Sequence, residues 1–243
     1  MTTLDASDKE IIARRVAQEL RDGDRVNLGI GLPTLVASYL PASIRVHFHS
    51  ENGIMGMSPL PGEGFDDPSL TDAGGRPVGA MPGASAFDSA FSFGLIRGGH
   101  LDVTVLGGLE VDEAGHLANW MVPGKMVPGM GGAMDLVTGA RRVIVAMMHR
   151  SPTGAKVVRQ CSLPITSIRR VDLIVTELAV IEPTMEGLLL KETTAGVSVQ
   201  DVIDATEARL LIAPECRCEL SRAREHLLGV LLRDFWGRCP VRC

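Results

Sequence analysis

The sequence has few aromatic residues: two Trp, one Tyr and six Phe make up 4% of its 243 positions. Sites that stack sugars or single-stranded nucleic acid on aromatic rings are therefore unexpected. Excess positive charge is also lacking, because the formal net charge is −5 and a nucleic-acid-binding domain needs a basic face. No apolar run has the length needed to cross a bilayer. We therefore expect neither nucleic acid nor membrane among its partners.

The five cysteines do not have the pattern of a disulfide framework. Their number is odd, and four of them follow residue 215: Cys216, Cys218, Cys239 and Cys243. Their spacings miss those of the usual zinc sites, so we predict no metal centre. The first ten residues lack the basic and then apolar pattern of a signal peptide. Together these features predict a cytoplasmic protein.

The chain is long enough for one large α/β domain. Strand-type runs occur at 25–28, 44–48, 101–106, 142–148, 171–176, 188–192 and 210–213; helical patterns occur at 8–22, 35–40, 86–97, 198–206 and from about Met134. Strands that alternate with helices predict a three-layer α/β/α fold with a mostly parallel open sheet. We assign 1–213 to this domain and 214–243 to a divergent, loosely ordered tail. Residues 57–83, rich in proline and glycine, are expected to form an irregular loop.

A carboxylate follows one of these strands, in the stretch Phe48-His49-Ser50-Glu51-Asn52-Gly53. Asn-Gly readily adopts the positive φ angles of a tight turn. Such a turn lifts the preceding Glu51 clear of the sheet, as a nucleophile elbow presents a serine. The same residues, taken alone, also fit a surface hairpin turn with a solvated glutamate. Both interpretations stay open at this point.

Two glycine-containing segments also follow strands. Gly29 and Gly31 follow the strand at 25–28, and Gly131 and Gly132 end a run of glycines and prolines before Met134. Consecutive backbone N–H groups in such a run suit a developing oxyanion. Ligands of open α/β sheets bind beyond the carboxyl ends of the strands, so we expect these segments and Glu51 at one edge. Glycines that serve only a tight turn or an interface remain the alternative.

Other classes of function are also considered. The Gly29–Gly31 turn has some features of a dinucleotide site, but Thr34 replaces the third glycine and Pro33 removes a backbone N–H. A nicotinamide-dependent oxidoreductase and a non-catalytic interface subunit remain alternative interpretations. A hydrolase that uses Ser50, Ser85 or Cys161 is disfavoured, because no G-x-S-x-G motif occurs.

Taken together, the motifs resemble the β subunit of the family I coenzyme A transferases. The similarity includes residues 26–34, the Ser50-Glu51-Asn52-Gly53 signature, residues 81–100 and residues 117–135. It covers about residues 8–213, in order and with similar spacing, which makes it far more specific than a single motif. Within the family, the bacterial short-chain 3-oxoacid transferases are the most similar.

The resemblance implies a role for each matching residue. Glu51 matches the nucleophile that forms a covalent thioester with coenzyme A, Asn27 matches an asparagine near the pantetheine arm, and Gly132 matches an oxyanion donor. The rest of the implied acyl-CoA-binding set is Gly131, Gly29, Gly31, Asn52 and Gly53. No permanently bound cofactor is implied, since coenzyme A is both substrate and transient covalent adduct.

The resemblance also implies partners and substrates. An α subunit, absent from this chain, is expected in a hetero-oligomer of α2β2 composition or larger. The implied reaction moves coenzyme A by ping-pong chemistry between a short-chain acyl-CoA and a carboxylic or 3-oxo acid such as acetoacetate. A 3-oxoadipate or succinyl-CoA:3-oxoacid transferase is the alternative. Gly75 stands where the mammalian succinate-dependent relatives carry a lysine, which disfavours succinyl-CoA as the donor. The acetoacetate branch of the family also has glycine there.

Overall fold

A computed structural model of the chain describes residues 6–59, 67, 69–124 and 131–218. The α-helices in this part are α1 (Ala6–Ala17), α2 (Ser89–Arg97), α3 (Ala133–Gly139) and α4 (Val199–Ala205), and a 3₁₀ helix spans Leu32–Tyr39. The strands are β1 (Arg25–Leu28), β2 (His47–Ser50), β3 (Ile54–Ser58), β4 (Gly79–Ala86), β5 (Val103–Leu106), β6 (Glu110–Asp112), β7 (Leu117–Ala118), β8 (Arg142–Ala146), β9 (Arg150–Ser151), β10 (Gly154–Ala155), β11 (Val157–Val158), β12 (Leu173–Val175), β13 (Ala179–Pro183), β14 (Leu188–Thr193) and β15 (Leu210–Cys218).

The main sheet has ten strands in the order β15-β14-β13-β12-β8-β5-β1-β2-β3-β4. Its five central strands, from β12 to β2, pair in parallel. Antiparallel pairs flank this centre, formed by β3 and β4 on one side and by β13 and β14 on the other. The central strands therefore all point their carboxyl ends toward one edge of the sheet. This confirms the predicted, mostly parallel open sheet.

Two hydrophobic cores lie on opposite faces of the sheet. Strand β5 contributes to both, because successive side chains of a strand point to opposite faces: Val105 belongs to one core and Leu106 to the other. The core around Val105 contains residues of α1 and the 3₁₀ helix. The core around Leu106 contains residues of α2, α3 and α4. The predicted α/β/α layering is thus confirmed, with helices on both faces.

The sequence did not predict the antiparallel pair of β3 and β4. The end of β3 and the start of β4 lie within residues 57–83, which were assigned to an irregular loop. Strand β4 contains Gly79, Pro82 and Gly83, residues that weaken a strand prediction. It lies at the edge of the sheet, where a proline without an N–H is tolerated. Residues 60–66 and 68 of the predicted loop lie outside the described residues.

Smaller differences concern the ends of elements. Helix α1 ends at Ala17 rather than near residue 22, and a turn follows. Strand β13 was not predicted. Strand β15 continues to Cys218 and so crosses the predicted domain boundary at residue 213. Residues 219–243 of the predicted tail lie outside the described residues.

Candidate active site

Glu51 lies in the tight turn that joins β2 to β3. These two strands are antiparallel, so the turn closes a hairpin. Strand β2 is also parallel to β1 on its other side. The Gly53 N–H donates to Ser50 O at 3.0 Å. Gly53 has a φ of +126°, and a Cβ atom there would lie 2.0 Å from Phe87 O. Phe87 N–H in turn donates to Gly53 O at 2.9 Å. The sequence therefore needs glycine at this position, because the hairpin packs its backbone directly against the chain entering α2.

The other side of the turn is fixed by the segment before β4. Asn52 Nδ2 donates to Thr71 O at 2.7 Å, and Ala73 N–H donates to the hydroxyl of Ser50 at 2.8 Å. Ser50 is 3% exposed, whereas Asn52 is exposed. Glu51 thus sits on a turn that is held from both sides, while its own side chain is only half-buried.

The carboxylate of Glu51 accepts a hydrogen bond from a buried amide. Asn27 Nδ2 on β1 lies 3.0 Å from Glu51 Oε2, and Asn27 is fully buried. The two residues meet because β1 and β2 are parallel neighbours with Asn27 opposite His49. The structure therefore brings Asn27 and Glu51 together, as the resemblance implied.

Gly132 also lies against Glu51, at the start of α3. A Cβ atom on Gly132 would lie 3.3 Å from Glu51 Cγ and 3.4 Å from Phe93 Cε1. The absence of a side chain here therefore allows the backbone before α3 to approach the glutamate. Gly131 precedes it with a φ of +52°. Residues 125–130, the remainder of the predicted oxyanion loop, lie outside the described residues.

Gly29 and Gly31 have different surroundings. Gly29 N–H donates to Val105 O at 2.8 Å, and a Cβ atom on Gly29 would lie 3.2 Å from the same oxygen. Gly31 precedes the 3₁₀ helix, and its carbonyl accepts from both the N–H and the hydroxyl of Thr34. The contacts found for these glycines are thus with the neighbouring strand and within the turn. Their predicted part in acyl-CoA binding stays a prediction.

A cavity of 1070 Å³ opens beside Glu51. Its lining includes Val46 before β2, Phe48 and Ser50 on β2, and Glu51 in the turn that follows. Its apolar lining includes Leu28, Phe48 and Met57. The cavity therefore has both the Glu51 carboxylate and apolar side chains in its lining.

The charge of Glu51 has no cationic partner in the described part of the chain. The ion pairs found there join other residues. Arg97 on α2, for example, pairs with Asp135 on α3, with 2.6 Å between Nε and Oδ1. A carboxylate that receives an amide N–H without a salt bridge keeps an oxygen available for chemistry.

A buried histidine, which sequence reasoning did not select, lies behind Asn27. His49 is 1% exposed, and its Nε2 lies 2.9 Å from the hydroxyl of Ser92 on α2. Burial lowers the pKa of His49 to about 4. The only sequence signal was the alternation of β2, which places His49 on the face opposite Phe48 and Ser50.

The nucleophiles considered for a hydrolase are not arranged for that chemistry. Burial is the largest cause that raises the pKa of the Cys161 thiol, to about 12, which disfavours the reactive thiolate. Ser85 is exposed on β4, and Ser50 Oγ accepts from Ala73 N–H.

Across the described ranges, no group of three His, Cys, Asp or Glu side chains has the arrangement of a metal site. No helix there combines the length and apolar character of a bilayer span.

Comparisons with known proteins show which family the chain belongs to. The family model described as Coenzyme A transferase matches residues 9–205. The β subunit of the acetate CoA-transferase of Escherichia coli K12 is 56% identical over 208 residues, which cover 85% of this chain and 95% of that protein. One subunit of the succinyl-CoA:3-ketoacid coenzyme A transferase of Helicobacter pylori is 49% identical over 201 residues, or 82% of this chain and 97% of that protein.

A solved structure shows the same fold. The apoenzyme of an acyl-CoA transferase from Escherichia coli O157:H7 superposes with a TM-score of 0.71 at 24% sequence identity. The match covers 90% of this chain and spans 44% of that chain. The family model and the close relatives show that the chain belongs to the coenzyme A transferase family and corresponds to the β subunit of its members.

Proposed function

We propose that Glu51 is the covalent nucleophile of coenzyme A transfer. A Glu51 carboxylate oxygen attacks the carbonyl of an acyl-CoA, the C–S bond breaks, and the thiolate leaves with the electron pair. The product is a mixed anhydride between Glu51 and the acyl group. The thiolate then attacks the glutamyl carbonyl, the anhydride C–O bond breaks, and the donor acid leaves as its carboxylate. Glu51 is left as a γ-glutamyl-CoA thioester.

The second substrate reverses these steps. The carboxylate of the acceptor acid attacks the glutamyl thioester, and the released thiolate attacks the acyl carbonyl of the new anhydride. A new acyl-CoA leaves, and the Glu51 carboxylate is regenerated. The thioester free energy is conserved, because each C–S bond broken is replaced by another. A covalent intermediate of this kind predicts ping-pong kinetics.

The observation that carries this proposal is the environment of the Glu51 carboxylate. Asn27 Nδ2 donates to Oε2 at 3.0 Å, so it is placed to stabilise the oxyanion that forms when the thiolate attacks the glutamyl carbonyl. Gly132 approaches the same side chain, and we propose its N–H as a further donor. Removal of one oxyanion donor typically raises a barrier by about 3 kcal/mol.

We propose a short-chain acyl-CoA and a carboxylic or 3-oxo acid as substrates. The names of the relatives include acetate and 3-ketoacid transferases, and the cavity beside Glu51 has the apolar wall that an acyl chain requires. Coenzyme A is then a substrate and transient adduct. Each of these relatives is named as one subunit of its enzyme, so we also propose an α-subunit partner in a hetero-oligomer, in the cytoplasm.

The test compares Glu51→Gln and Glu51→Asp with the wild-type chain, each assembled with its partner subunit. Initial rates over a matrix of acyl-CoA donors and acid acceptors should give parallel double-reciprocal lines for the wild type. Both variants should lose nearly all transfer, because Gln is a poor nucleophile and Asp is shorter by one methylene. Full activity in Glu51→Gln would end the assignment.

A further inference from the structure

His49 and Ser92 form a buried polar pair behind the Asn27–Glu51 contact. His49 is 1% exposed and Ser92 is fully buried. The His49 ring also stacks on Phe87, with 6.3 Å between ring centroids and 19° between planes. Neither residue contributes to the chemistry proposed above, which uses Glu51, Asn27 and Gly132. Any role of this pair in catalysis rests on the proposed role of Glu51.

The surroundings of Asn27 fix the orientation of its amide. Asn27 Nδ2 lies 3.0 Å from Glu51 Oε2 and 3.3 Å from His49 O. A carboxylate oxygen and a carbonyl oxygen only accept hydrogen bonds, so the NH₂ group must face both. The reverse orientation would place Asn27 Oδ1 against two acceptors.

The same amide bears on the tautomer of His49. Asn27 Nδ2 lies 3.4 Å from His49 Nδ1, and its two hydrogens also face Glu51 Oε2 and His49 O, so Nδ1 shares a donor at most. Because an NH₂ group cannot accept, a proton on Nδ1 would find no acceptor there, which favours an unprotonated Nδ1. The proton of the neutral imidazole then resides on Nε2, which lies 2.9 Å from Ser92 Oγ and donates to it. A protonated ring would turn an Nδ1–H toward the Asn27 NH₂ group.

We propose that His49 and Ser92 are positioning residues for the nucleophile. Ser92 Oγ accepts from the Nε2–H of neutral His49. His49 Nδ1 and the His49 carbonyl then face the NH₂ group of Asn27. These contacts keep that NH₂ group directed at Glu51 Oε2. The chain of contacts runs from α2 through β2 and β1 to the hairpin turn. Its function is to keep an oxyanion donor aimed at one carboxylate oxygen while the other oxygen reacts.

The test uses two substitutions at His49 whose side chains have the same number of heavy atoms and the same branching. His49→Asn retains an acceptor near the position of Nδ1, whereas His49→Leu retains none. With acetoacetyl-CoA and the assembled enzyme, the single-turnover rate of Glu51 thioester formation is measured. We expect His49→Leu to lower this rate at least about 30-fold, because a misdirected donor loses much of the roughly 10²- to 10³-fold effect of one oxyanion donor. His49→Asn should stay within about fivefold of wild type, a small part of that effect.

Ser92→Ala provides a milder probe, since it removes only the hydroxyl behind His49. We expect a loss of about three- to tenfold in the same rate with little change in the KM for acetoacetyl-CoA, as for an interaction used in the transition state. Thr206→Ala is the matched control. Thr206 Oγ1 lies 2.9 Å from Nε2 of the other buried histidine, His149, so its removal should leave the rate unchanged.

Equal rates in His49→Leu and wild type would overturn the positioning role, as would equal losses in His49→Leu and His49→Asn. An unchanged rate in Ser92→Ala would contradict it even if the His49 variants did not fold. Glu51→Gln is measured in parallel. If it forms no adduct while His49→Leu is unimpaired, only the positioning role is wrong; if it forms the adduct normally, the proposed function itself is wrong.

Discussion

Asn27 Nδ2 lies 3.0 Å from Glu51 Oε2, although the two residues are 24 positions apart. The contact exists because β1 and β2 are parallel neighbours and because a hairpin turn follows β2 directly. It gives the carboxylate one fixed donor, and the account of the site depends on that donor.

Replacement of Asn27 by Ala should therefore slow thioester formation by about 10²- to 10³-fold, the usual effect of removing one oxyanion donor. The effect should appear in the single-turnover rate with acetoacetyl-CoA and less in the apparent affinity. A melting curve of the variant checks that the assembled enzyme is folded. A folded variant whose rate falls less than about threefold would show that this amide does not stabilise the transition state.

Gly132→Ala should reduce activity without unfolding the enzyme. The added Cβ would lie 3.3 Å from Glu51 Cγ, so the glutamate must shift, and a small misplacement of a reacting group is costly. Gly94→Ala on α2 is the control, because a Cβ there meets no atom within 4 Å. The control should be as active as wild type and slightly more stable, since alanine is favoured in a helix. Equal activity in both variants would contradict the close approach of Gly132.

Gly53→Ala should destabilise the enzyme more than Gly75→Ala. Both glycines have positive φ angles, of 126° and 76°. A Cβ on Gly53 would lie 2.0 Å from Phe87 O, whereas a Cβ on Gly75 meets nothing within 4 Å. Gly75→Ala should therefore cost about 1–2 kcal/mol from backbone strain alone. Thermal unfolding of both variants checks the order, and a Gly53→Ala enzyme as stable as Gly75→Ala would contradict the packing of the turn.

Acid should destabilise the enzyme partly through its buried histidines. Burial is the largest cause that lowers the pKa of His149, to about 4, and its ring nitrogens face the hydroxyls of Thr176 and Thr206. In the unfolded chain the histidine binds a proton below about pH 6.5, whereas in the folded chain it stays neutral until about pH 4. The stabilisation is therefore complete above about pH 6.5 and is lost as the pH falls toward 4, by an amount of the order of 3 kcal/mol.

The measurement for this prediction is the melting temperature at about pH 7 and about pH 5. His149→Leu, which cannot titrate, should lose less stability between the two values than wild type does. An identical decrease in both proteins would show that the protonation of His149 does not contribute.

The sequence predicted the layers of the fold because its buried strands read as continuous apolar runs, as in Val143-Ile144-Val145. It did not predict β4, because Pro82 and two glycines are unfavourable in a strand and are tolerated here only at the sheet edge. Strand order and register arise from tertiary packing, and no local pattern encodes them.

Within the site, Asn-Gly after a strand predicted the turn at Glu51, and the structure confirms the turn. The role of Glu51 as a nucleophile stays a prediction. The turn is a hairpin, but its glutamate is half-buried and bonded to Asn27. The resemblance to a family placed Gly132 nearby. The His49–Ser92 contact was not predicted, because it joins residues 43 positions apart and depends on how α2 packs on β2.

Mass spectrometry after addition of acetoacetyl-CoA to the assembled enzyme, without acceptor acid, tests the central claim most directly. The account predicts one coenzyme A adduct per chain, on the peptide that contains Glu51, which disappears on addition of acetate as the acceptor. Absence of that adduct in an enzyme that transfers coenzyme A, or an adduct on a different residue, would contradict it.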